Sequence, residues 1–213
     1  MRRRTLLAAP AWLLAPTAFA ATAQGPAAAA LLAALRAGGV VVVLRHGITD
    51  RRQADTGRLG DRAGQRNLSE AGRAQARRLG QSFAALGLRL GEVLTSPVFR
   101  ARDTAELAFG ARAVVEPRLT ADDYTPDPAL LVRNIAWLRD RVRQPSAPDA
   151  VDVLVGHIVP LGMMLGRGLS QAEYPEGALA VFAPGGALLG ILAAETLADI
   201  TRSSPASGTP PPR

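Results

Sequence analysis

The sequence predicts an α/β fold of three layers, with helices on both sides of a largely parallel central sheet. Three observations lead there. Short apolar, β-branched runs alternate with amphipathic helical stretches along most of the 213 residues, as in a sheet covered on both faces. The run VVVVL at 40–44 is apolar at every position, which suits a strand buried on both sides. No repeat or internal linker divides the chain, and its length suffices for one domain with a real core.

The elements follow in order. Residues 1–20 combine Arg2, Arg3 and Arg4 with an apolar run and the small-residue pattern Ala18-Phe19-Ala20, which reads as a secretory signal. Ala21-Thr22-Ala23 offers a second cleavage point. The apolar run is short for a membrane span and carries two prolines, so no stable span is expected after removal. Arg3-Arg4 admits either the general or the twin-arginine export route, and the expected location is periplasmic or secreted. A single domain is then expected over 26–200. Residues 27–36 form an alanine- and leucine-rich helix stopped by Gly38-Gly39, and 40–44 the first strand. Residues 48–68 are a polar loop with five arginines, long enough to be functional or disordered. Ser69 is placed as an N-cap with Glu70 in the first turn. Ala76, Leu79, Phe83 and Leu86 then recur at helical spacing on one inward face. Strands are expected at 92–95, 113–115 and 152–155, and helices at 99–109, 128–142 (capped by Asp127) and 158–165. A closing hairpin spans 178–182 and 188–192 around Pro184-Gly185-Gly186. Residues 201–213 lack core-forming side chains and read as a disordered tail.

The formal charge is +7, falling to +4 once the three N-terminal arginines leave with the signal. That suits an anionic small molecule or surface. It is too mild for nucleic acid, and aromatic residues are too sparse for base stacking. With no cysteine, neither a disulfide framework nor a thiolate metal site is available. Oligomeric state is not legible.

The chemistry converges on the two histidines. His46 and His157 each directly follow a buried strand, in VVVVLRH and DVLVGH, and so share the ligand-binding edge of a parallel sheet. Neither has a carboxylate or second histidine at metal-ligand spacing, so no metal or other cofactor is expected. Arg45 abuts a strand too apolar for a surface, and Arg100 begins a helix just after TSP; guanidinium groups of this kind bind phosphate bidentately. Gly47 allows close backbone approach to a ligand.

The segments LRHGIT, RNLSEAGRAQARRLG, TSPVFRARDTAELAFG and VLVGH, in that order over about 39–192, resemble the motifs of the histidine phosphatase superfamily, and so imply a phosphoglycerate mutase-like fold. The resemblance implies that His46 is a nucleophile forming a phosphohistidine. Arg45, Arg100 and His157 would surround the phosphoryl oxygens, Thr49 would add a hydroxyl, and Arg66 would either reach the substrate or stay an exposed loop cation. A general acid is expected near 121–127. Ile158, not an acid, follows His157, and Ala121 stands at the usual glutamate position. The segment offers Asp122 and Asp123 in that region, with Asp123 slightly favoured. The implied function is an exported, metal-independent phosphomonoesterase acting on small or envelope-linked phosphate esters. The alternatives are a non-catalytic phosphate-binding protein on the same fold and an arginine-rich adhesion protein with no pocket.

Overall fold

The computed structural model describes residues 22–203. The predicted signal segment 1–20 lies outside the described residues, as do 204–213 of the predicted tail. The chain runs through α1 (Gly25–Ala37), β1 (Val40–Arg45), α2 (Glu70–Ala85), β2 (Leu90–Thr95), α3 (Phe99–Phe109), β3 (Ala113–Val115), α4 (Pro128–Arg141), β4 (Val151–Gly156), α5 (Ile158–Met164), β5 (Leu179–Phe182), β6 (Leu188–Leu192) and α6 (Ala194–Ser203). Three short 3₁₀ turns flank β3 and open the 122–124 segment.

The six strands form one sheet in the order β3-β2-β4-β1-β5-β6. β1, β2, β3 and β4 pair in parallel, while β5 pairs antiparallel with β1 and β6 with β5. The period of two along β1 sets the layers. Val40, Val42 and Leu44 face a core shared with α1, α2, α3 and α6, whereas Val41 and Val43 face one shared with α4 and α5. Each core is continuous across the sheet, which is the three-layer arrangement the alternation of elements predicts.

This arrangement creates the site. β1 and β4 are adjacent and parallel, with Arg45 opposite Gly156 at their carboxyl ends. From β1 the chain leaves for α2 on one face; from β4 it leaves for α5 on the other. A crevice opens where two neighbouring strands send their connections to opposite sides. His46 and His157 are the residues that follow those two strands.

Local signals hold these elements in place. Ser69 caps α2 by accepting from the Gly72 amide at 3.1 Å, and its own amide donates to the Ile48 carbonyl at 2.9 Å. Asp127 caps α4 through the Ala129 amide at 2.9 Å. The 48–68 loop is ordered: Thr49 bridges Leu68, the Asp50 amide donates to Asn67 at 3.0 Å, and buried Gln65 accepts from the Phe99 amide at 3.0 Å.

One element departs from the sequence reading. α6 runs to Ser203, so residues 201–203 are helical rather than the start of a tail. Its Leu197 is fully buried and Ile200 packs on the α2 side of the sheet. The three-residue spacing of Ala194, Leu197 and Ile200 is the signal that marks this amphipathic turn.

Candidate active site

His46 is held by its backbone on both sides. Its amide donates to the Gly156 carbonyl of β4 at 3.1 Å, and its carbonyl accepts from the Gly177 amide at 2.9 Å. The next residue must be small for a packing reason. A Cβ on Gly47 would lie 3.1 Å from the Gly72 carbonyl oxygen of α2, and the Gly47 amide donates to Thr104 Oγ1 of α3 at 2.9 Å. Beyond the ligand approach expected from the sequence, Gly47 is the seat on which α2 and α3 dock against the histidine turn. Gly72 is tighter still, since a Cβ there would fall 1.9 Å from the Ile48 carbonyl oxygen.

The imidazole of His46 is buried, and its Nδ1 lies 2.9 Å from the Gly47 carbonyl oxygen. A carbonyl only accepts, so Nδ1 carries the proton and Nε2 carries the free lone pair. Burial, and then the charges of Arg100, Arg45 and Arg66, hold the His46 pKa well below the ordinary histidine range. The ring is thus neutral, with its unprotonated nitrogen free to attack an electrophile.

The second histidine stands beside it. The ring centroids of His46 and His157 are 5.4 Å apart at an interplanar angle of 53°. His157 is buried, and Ser96 Oγ lies 2.9 Å from its Nε2. Burial, followed by Arg100, His46 and Arg45, lowers its pKa well below the usual value too.

Arg45 is buried and donates through Nη1 to the Tyr174 carbonyl oxygen, while the Tyr174 hydroxyl donates to the Val43 carbonyl at 2.8 Å. Arg100, with a 4% exposed side chain, places Nη1 3.0 Å from Asp55 Oδ1 and Nη2 3.5 Å from Asp123 Oδ2. Arg66 lies at the same place, with Nε 4.0 Å from Asp55 Oδ2. Among the described residues, the buried Nε–H groups of Arg45, Arg66 and Arg100 have no acceptor. Three guanidinium groups therefore act on one imidazole, and their summed positive charge is complementary to an oxyanion.

The remaining expected residues divide. Asp123 has a 43% exposed side chain at the Arg100 guanidinium. Burial, together with Asp55 and Asp122, raises its pKa against the opposing pull of Arg100. Asp122 bears on the site through its charge on Asp123. Thr49 is buried, but its hydroxyl donates to Glu176 Oε1 at 2.7 Å, which commits it to a protein partner. Sequence reasoning missed Asp55, Ser96 and Tyr124. Asp55 accepts from Arg100, from the Tyr124 hydroxyl and from the Arg66 amide at 2.9 Å, joining the 48–68 loop to the 122–124 turn. No local pattern singles out Asp55 within so polar a loop. Ser96 was visible in TSP but carried no role. Among the described residues, no group of three or more histidine, aspartate or glutamate side chains is placed to hold a metal ion.

Comparison with known proteins bears on the fold and on the family motifs. Residues 41–123 match the family model of the histidine phosphatase superfamily, branch 1. An uncharacterised protein of Picosynechococcus sp. is 38% identical over 118 residues, a match covering 55% of this chain and 66% of the relative, just under two thirds of its length. The structure of the protein histidine phosphatase SixA complexed with tungstate aligns with a TM-score of 0.52 at 19% identity, over 74% of this chain and 99% of the other. A phosphoserine phosphatase from Entamoeba histolytica in complex with 3-phosphoglyceric acid aligns with a TM-score of 0.51 at 16% identity, over 74% and 98% of the two chains. At such identities these two structures speak to the fold alone, and the chain has the phosphoglycerate mutase-like fold; residues 41–123 carry the similarity to the histidine phosphatase superfamily.

Proposed function

We propose that this chain is an exported phosphomonoesterase that hydrolyses small or envelope-attached phosphate esters through a phosphohistidine on His46, without a metal ion in the chemistry. In the first step the His46 Nε2 lone pair attacks phosphorus and the P–O bond to the leaving group breaks. The departing oxygen takes the proton of the Asp123 carboxyl group. In the second step water attacks the phosphohistidine, gives its proton to the Asp123 carboxylate, and releases inorganic phosphate with His46 neutral again. Splitting one displacement into two lowers each barrier.

The observation that carries this reading is the hydrogen bond from His46 Nδ1 to Gly47, which leaves Nε2 unprotonated in a buried ring facing three guanidinium charges. Those cations stabilise the charge that accumulates on the phosphoryl oxygens; one such donor is worth ~10²–10³ in rate. A raised pKa suits Asp123 to hold a proton for the leaving group, and its exposure gives the second step access to water. Export rests on the N-terminal pattern of the sequence.

Acid-quench trapping with a labelled phosphate ester tests the mechanism. Acid-labile label is expected on His46, with hydrolysis abolished in His46→Ala and unaffected by chelator. Turnover with label on another residue rejects it. Specific phosphate binding with no turnover supports the non-catalytic alternative instead.

A further inference from the structure

The hydrogen bonds around His157 contain more than burial requires. Ser96 is fully buried at the end of β2. Its Oγ accepts from the Val98 amide at 3.2 Å and lies 2.9 Å from His157 Nε2. Among the described residues the hydroxyl has no other side-chain or backbone acceptor, and His157 Nδ1 is buried with no partner.

Two arrangements satisfy those distances, and counting donors separates them. If Nε2 carried the proton and donated to Ser96, the buried hydroxyl hydrogen would have no acceptor and the buried Nδ1 lone pair no donor. If the hydroxyl donates to Nε2, the hydroxyl is fully used: one hydrogen given to His157 and one lone pair taken by Val98. A single group is then left over, the Nδ1–H. A buried polar group left unpaired keeps its full desolvation penalty, so the arrangement with one orphan is favoured over that with two. The remaining orphan is a donor, in a ring 5.4 Å from that of His46.

We propose that Ser96 is a positioning residue that fixes His157 as the Nδ1–H tautomer, so that its ring can donate a hydrogen bond to a phosphoryl oxygen of the substrate. This rests on the phosphate-ester reading of the same site. It adds that the TSP serine sets which histidine nitrogen faces the anion. The two imidazoles then share one tautomer for opposite purposes. In His46 the Gly47 carbonyl holds the proton on Nδ1 so that Nε2 can attack. In His157 the Ser96 hydroxyl holds the lone pair of Nε2 so that Nδ1 can donate.

The chain contains two histidines in all, so the test is direct. Long-range ¹H–¹⁵N correlation spectra of the full chain read the tautomer of each ring without requiring turnover, with His157→Gln assigning the signals. Wild type is expected to show His157 protonated at Nδ1, and titration with inorganic phosphate is expected to shift that nitrogen most. In Ser96→Ala, His157 is expected to populate the Nε2–H tautomer and phosphate to bind about 10-fold more weakly. Loss of the Val98 contact alone would lower the melting temperature without changing the tautomer. A wild-type His157 protonated at Nε2, or a Ser96→Ala protein with unchanged tautomer and phosphate affinity, overturns the proposal. Failure of the enzymatic reading has a different signature: no turnover, with the Nδ1–H tautomer and the phosphate response intact.

Discussion

Arg100→Ala tests the electrostatic reading of the crevice most sharply. The side chain is 4% exposed and sits between the Asp55 and Asp123 carboxylates, and its charge acts on both histidines. Three effects follow. Removing one buried donor to the phosphoryl oxygens should lower kcat by ~10²–10³, or about 2.7–4 kcal/mol of transition-state stabilisation. The His46 pKa, which Arg100 depresses, should rise, moving the acid limb of kcat/KM to higher pH because more of the nucleophile is protonated at a given acidity. Asp123, which Arg100 also pulls down, should hold its proton to higher pH, so the alkaline limb moves the same way. The fold should survive, because Asp55 keeps the Tyr124 hydroxyl and the Arg66 amide as donors. The assay is a pH–rate profile with 4-nitrophenyl phosphate; the ester's own ionisation is common to both proteins, so the difference reports enzyme groups. Arg100→Lys separates charge from geometry. It keeps the cation but not the planar fork, so the rate should fall while the limbs stay near wild type. A loss below about 10-fold in Arg100→Ala, or limbs that do not move, would refute the argument.

Two further outcomes are expected. Asp123→Asn should lower kcat by ~10²–10⁴ and abolish the alkaline limb, and Asp122→Asn should change kcat only a few-fold; the reverse ranking in steady-state kinetics would reassign the acid. Gly72→Ala, where the Cβ would meet the Ile48 carbonyl oxygen, should destabilise the protein by about 1–3 kcal/mol and lower kcat by displacing the His46 turn. A thermal melt and activity indistinguishable from wild type would show that this packing does not hold the turn.

Much of the architecture was legible because it rests on short-range regularities. Continuous apolarity marked β1, while Phe99–Phe109 and Ala113–Val115 were read with the bounds they have, because caps, periodicity and breakers act within a few residues. α6 was missed because its apolar positions span so few turns that they merge with the polar end of the chain. The loop at 48–68 was seen as polar but not as ordered, since its order comes from Asp55, Gln65 and Thr49 meeting partners from elsewhere in the sequence.

The sequence by itself determined that two histidines end two buried strands, that arginines attend them, and that strand and helix alternate; each is a property of neighbouring residues. Only the tertiary structure decided that β4 lies beside β1, which brings the rings to 5.4 Å, that Arg100 leans toward Asp123, and that Ser96 sits at Nε2 of His157. Strand order and side-chain partnering depend on contacts between distant segments, and the burial that selects those contacts exists only once the layers have closed.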